Sequence, residues 1–94
     1  KSLTRSYCYP NPIRENTGTI RIETIGAEKV EVNLYDLAGY YIKTWNEDLS
    51  HFGNQITEWV WDVSDVESGV YFAHVAVIGD IDTETNIIKI AVIH

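Results

Sequence analysis

Methionine is absent from the chain, cysteine occurs once and proline twice among 94 residues. A lone Cys8 cannot form an internal disulfide, so cross-links do not hold this domain together. No apolar run approaches the roughly 20 residues that a membrane helix needs, and no basic, apolar and small-residue export signal opens the sequence. Cations are scarce as well: Lys plus Arg number 7 against 14 Asp plus Glu, a formal charge of −7. Nucleic-acid binding rests on Lys and Arg clustered on one face, so this balance argues against it. It argues equally against docking on anionic lipid. With no Met at position 1, the chain reads as a segment cut or processed from a longer protein, and residues 1–6 as a linker remnant.

What is present is β-forming. Hydrophobic residues make up 45% and aromatic residues 12%, enough for a packed core in one small domain. Val, Ile, Thr, Tyr and Trp recur in short alternating runs, and nowhere does the i, i+3, i+4, i+7 spacing of a helix persist. Seven strands are expected, near residues 5–9, 19–25, 29–37, 40–45, 55–61, 70–78 and 85–93. Turn chemistry separates them: Asn11-Pro12, Asn16-Thr17-Gly18, Gly26-Ala27-Glu28 and Leu37-Ala38-Gly39. Val30, Val32 and Leu34 share one side of their strand, with Glu31, Asn33 and Tyr35 on the other. Ile20 and Ile22 likewise oppose Arg21 and Glu23. One apolar face per strand predicts an all-β, immunoglobulin-like antiparallel sandwich of about seven strands, with a small barrel as the alternative.

Catalysis has little to stand on. His51, His74 and His94 are dispersed, and neither a G-x-S-x-G elbow, an H-E-x-x-H pair nor a phosphate-binding glycine loop occurs. Ser68 before Gly69 reads as a turn. No enzyme activity and no cofactor is expected. Asp80, Asp82 and Glu84 alternate in a hairpin tip and are candidate cation ligands, as is the set Asp62, Asp65 and Glu67. Both lack the spacing of a calcium loop, and solvated turn charge is the plainer reading. Cysteine and histidine spacing gives no zinc pattern.

Aromatic residues offer a third candidate. If Ile42 and Thr44 point inward, Tyr41 and Trp45 point outward, and Trp59 joins them in a row able to stack on sugar rings or a protein partner. Core packing is the alternative, and it is assigned to Trp61. The last strand is apolar on both faces, with Ile88, Ile90 and Val92 on one side and Ile87, Ala91 and Ile93 flanking Lys89 on the other. Such a strand calls for cover on both sides, from a neighbouring domain or from a partner that adds a strand.

Four pieces then fall in a telling order: Tyr9-Pro10-Asn11-Pro12; Val32-Asn33-Leu34-Tyr35-Asp36-Leu37-Ala38-Gly39; Trp61-Asp62 with Ser68-Gly69-Val70-Tyr71-Phe72; and Lys89-Ile90-Ala91-Val92-Ile93. Together they resemble the C-terminal sorting domain of the type IX secretion system, the Por system of the Bacteroidetes group. They are also similar to the related immunoglobulin-like domain of the flagellar hook-capping protein. The resemblance implies a non-catalytic module that directs an attached upstream cargo across the outer membrane. Its implied partners are the translocon and a sortase-like peptidase. It implies export, with the periplasm in transit and then the cell surface or the medium. Gly69 with Tyr71, and Lys89 with Val92, fall on the motifs that the translocon would recognise. The competing expectation is an accessory module of a secreted hydrolase, binding carbohydrate through Tyr41, Trp45 and Trp59 or packing on a neighbouring domain.

Overall fold

Alternation of small β-branched and polar residues builds seven strands, described here from a computed structural model covering residues 2–50 and 52–94. They are β1 (Leu3–Tyr9), β2 (Thr17–Ile25), β3 (Lys29–Asp36), β4 (Tyr41–Asp48), β5 (Asn54–Asp62), β6 (Gly69–Ile78) and β7 (Thr83–Val92). One sheet has the order β1-β2-β5 and the other β4-β3-β6-β7, every strand pair being antiparallel. This is the expected immunoglobulin-like sandwich. β1 begins at Leu3, two residues before the strand expected near residues 5–9, with Leu3, Arg5 and Ser6 pairing with Thr24, Glu23 and Ile22 of β2.

The inner faces are those the sequence pattern marks. Ile20 and Ile22 from one sheet meet Val30, Val32, Leu34, Val75, Val77 and Ile90 from the other, all buried. Burying side chains of this size contributes about 1.5–3 kcal/mol each. Trp61 and Tyr71 close one end of this core edge to face, with ring centroids 5.4 Å apart and planes at 78°. The Tyr71 hydroxyl donates to the Glu67 carbonyl at 2.5 Å, which satisfies the one polar atom of that ring.

The β3–β4 hairpin turns at Gly39, whose φ of 91° lies where a side chain is strained. Asp36 accepts from the amides of both Gly39 (backbone oxygen, 3.0 Å) and Tyr40 (Oδ1, 2.9 Å). Just beyond the turn β4 carries a bulge. Tyr41 pairs with Tyr35 but Lys43 pairs with Leu34, so Ile42 has no opposite number. That extra residue reverses the side-chain alternation along β4. Tyr41 shares the outer face with Tyr35, while Trp45 sits opposite Val32 and turns inward. The expected pairing of Tyr41 with Trp45 on one outer surface is therefore corrected: strict alternation does not survive a bulge.

Candidate functional site

The two long sides of the sandwich are sealed differently. On one side Trp45 of β4 stacks on Trp59 of β5, centroids 6.3 Å apart and planes at 18°. Both indoles are half-buried against the core, and Lys43 places its ammonium 5.1 Å from the Trp45 ring. Trp59 faces inward because it is in phase with Thr57 and Trp61, both buried, while Ile56, Glu58 and Val60 face out. The expected row of Tyr41, Trp45 and Trp59 does not form. Tyr41 packs edge-on to Tyr35 at 6.1 Å, on a different surface from the indole pair.

The other side is sealed by backbone. After β1 the chain runs through Pro10 and Pro12, both following cis peptide bonds, and lies against the outer edge of β7. The Asn11 side chain takes the place of a strand there. Its Nδ2 donates to the Lys89 carbonyl at 2.8 Å, and its Oδ1 accepts from the Ala91 amide at 3.1 Å. Ile13 continues the pairing as a parallel bridge to Val92, donating to the Ala91 carbonyl at 2.7 Å and accepting from the Ile93 amide at 2.9 Å. Its side chain is fully buried and enters the sandwich over Gly18. A Cβ at Gly18 would collide with the end of the Ile13 side chain, so any other residue there forces this buried anchor to shift. Cys8 lines the same spot, buried, and its thiol is pushed up to about 11 by desolvation. Sequence reasoning missed Asn11, Ile13 and Gly18 as a unit. The available signal was an Asn held between two prolines, followed by a single apolar residue.

The four residues singled out by the terminal motifs come together on the β6–β7 ladder. Gly69 pairs with Val92, Tyr71 with Ile90, and Lys89 with Phe72. Val92 and Tyr71 face the core and are buried, whereas Lys89 and Gly69 are exposed. Gly69 needs no special backbone: a Cβ there would touch only the Tyr71 ring, at 3.9 Å. Burial, followed by the nearby charges of Glu67 and Asp36, raises the Tyr71 hydroxyl above its ordinary pKa.

The remaining sequence candidates scatter. Among the described residues no group of three or more His, Cys, Asp or Glu side chains is placed to hold a metal ion. Glu84 accepts from the Ser2 amide at 2.6 Å, and Asp82 offers its backbone oxygen to the Gly79 amide at 2.9 Å. Asp62 caps the next turn by accepting from the Ser64 amide at 2.9 Å. Bonds from the Ser64 side chain and backbone hold its carboxyl below the usual range. His74 packs against Tyr35 with ring centroids 4.8 Å apart and planes tilted at 58°, and His94 reaches the Val66 carbonyl at 2.6 Å. His51 lies outside the described residues.

An antiparallel seven-stranded sandwich whose final strand is clamped by a proline-flanked segment is an immunoglobulin-like module, with its distinguishing residues at the two ends of the chain. The chain belongs to the secretion system C-terminal sorting domains, which match it over residues 7–90. It is thus a sorting domain of the type IX kind, the signature of a secreted or cell-surface protein. No curated protein matches it.

Solved structures share the fold at low identity. A β-glucuronidase from Parabacteroides merdae superposes with a TM-score of 0.59 at 16% identity, over 99% of this chain and 13% of that one. The C-terminal domain of wzt gives 0.58 at 12% identity, over 87% and 63%. A CARDB domain from Pyrococcus furiosus, in complex with di-metal ions, gives 0.54 at 15%, over 99% and 90%. These likenesses concern the fold alone. This chain spans about an eighth of the glucuronidase.

Proposed function

We propose that this domain is a non-catalytic sorting signal. It directs an upstream cargo protein, covalently attached, through the outer-membrane translocon of the type IX system. The cargo passes through the periplasm and is then retained at the surface or released, with a sortase-like peptidase removing the domain. The match to the sorting-domain family over residues 7–90 carries this reading. The structure supports it by joining the first and last motif pieces, Asn11 and Lys89 to Ile93, in one hydrogen-bonded unit. Gly69, Tyr71, Lys89 and Val92 are the residues assigned to translocon recognition, the exposed Gly69 and Lys89 directly and the buried pair by shaping the ladder.

The test is a reporter fused upstream of the domain in a host with the type IX machinery. Removing residues 89–94 should strand the reporter in the periplasm. Ile90 and Val92 are core residues, so that deletion also costs folding. A Lys89→Glu variant, altered only at an exposed side chain, separates the two: it should melt as the parent does and be delivered less. Normal surface delivery of both variants would sink the proposal.

A further inference from the structure

At the end of the sandwich nearest Gly39, the β3–β4 hairpin and the turn leading into β6 enclose an open groove of about 300 Å³, lined by residues 36–38 and 67–71. Its walls mix two chemistries. Leu37 is 69% exposed at the rim, and Tyr40, 73% exposed, stands beside it on the same hairpin. Large apolar side chains at this exposure contribute little to the fold and are what a docking partner would cover. Asp36 and Glu67 supply carboxylates, and no Lys or Arg lines the groove. Among the described residues neither carboxylate has an ion-pair partner, both ion pairs of the domain belonging to Arg21.

Gly69 decides the shape. It lies in the groove lining, has no left-handed φ, and a Cβ there would meet nothing closer than the Tyr71 ring edge at 3.9 Å. The fold therefore has room for a Cβ at Gly69, on the lining of the groove. A glycine that the backbone does not need here keeps the space open.

We infer that this groove docks an extended segment of another protein, one presenting an apolar side chain next to a lysine or arginine. The apolar side chain covers Leu37 and the cation meets Asp36 and Glu67. Carboxylates without an ion-pair partner beside an apolar contact, one of them (Asp36) also accepting the Tyr40 amide, favour a basic segment and reject an acidic one. The inference rests on the sorting reading only in assigning that segment to the secretion machinery; the binding chemistry is read on the purified chain, so either can fail without the other.

The probe is a synthetic peptide, acetyl-Gly-Leu-Lys-Leu-Lys-Gly-amide, titrated into the ¹⁵N-labelled 94-residue protein, with the Lys-to-Glu version as its counterpart. The basic peptide should give saturable amide shifts confined to residues 36–38 and 67–71, weakening as salt is raised. The acidic peptide should give none. Gly69→Leu should weaken binding at least about tenfold with an unchanged melting temperature, and Leu37→Ser, a change at a surface side chain, supplies the same reading should the first variant unfold. Shifts that are absent, that map elsewhere, that are equal for both peptides, or that survive in the two variants would overturn the inference. So would concentration-dependent shifts at the groove without peptide, which would make a second copy the occupant.

Discussion

Asn11 completes the terminal strand of this domain by bonding Ala91, its side-chain Oδ1 standing in for the carbonyl of a neighbouring strand. The same amide donates to the Lys89 carbonyl, so one side chain covers both senses of the edge. The edge of β7 at its C-terminal end is therefore already occupied, and a partner that adds a strand there must first displace residues 11–13.

Asn11→Ala removes both bonds and should lower stability by about 1–2 kcal/mol. The amides of Ala91 and Ile93 should exchange with solvent faster, while those in the middle of β6 keep their protection. Asn11→Asp, which accepts but cannot donate, should fall between the two. Unchanged exchange at Ala91 in Asn11→Ala would show that the side-chain clamp holds nothing.

Gly18→Ala drives a methyl group into the Ile13 side chain. Overpacking of this kind costs about 1–3 kcal/mol, and here it should expel Ile13 and detach the whole lead-in segment from β7. Gly69→Ala, with only ordinary contact awaiting it, should be close to neutral. Thermal melts of the two variants should differ clearly, and equal midpoints would contradict the packing described.

The indole pair predicts a measurable coupling. Trp45→Ala and Trp59→Ala should each destabilise the domain, and the double variant should cost less than their sum, with a coupling of about 0.5–1.5 kcal/mol. Strict additivity in denaturant titrations would show that the stacked rings do not interact. Their inward position also means that loss of either ring should act on folding before it acts on any surface.

Cys8 should be silent in the folded protein. With its thiol pushed up to about 11, it carries almost no thiolate at pH 8 and is buried as well. A thiol reagent should label it only on unfolding. The folded pKa lies above the unfolded value near 9.0, so this group's contribution to stability is complete below 9 and is lost as pH rises through about 11. Rapid labelling under native conditions at pH 8 would contradict this burial.

The sequence made the sandwich legible because period-two alternation is a direct image of a half-buried strand, and Val30, Val32, Leu34, Ile88, Ile90 and Val92 all face where alternation places them. It misled at β4, where one unpaired residue, Ile42, inverts the pattern and turns Trp45 inward. The hydroxyl bond of Tyr71 to Glu67 was not legible, because it depends on the path of a turn. The contact between Asn11 and β7 joins residues 80 apart, and the Asn held between two prolines marks only its near end, not its partner. Order of motifs along the chain carried the functional reading where spacing and composition could not.

We propose that this domain is the element that sends an attached, periplasm-targeted cargo outward through the type IX translocon. The most direct measurement is the protease accessibility of a periplasm-targeted reporter carrying residues 1–94 at its C-terminus, in cells with and without a working type IX translocon. An accessible reporter is expected only when both domain and translocon are present. A reporter that stays protected in the competent strain, or becomes accessible without the domain, would contradict it.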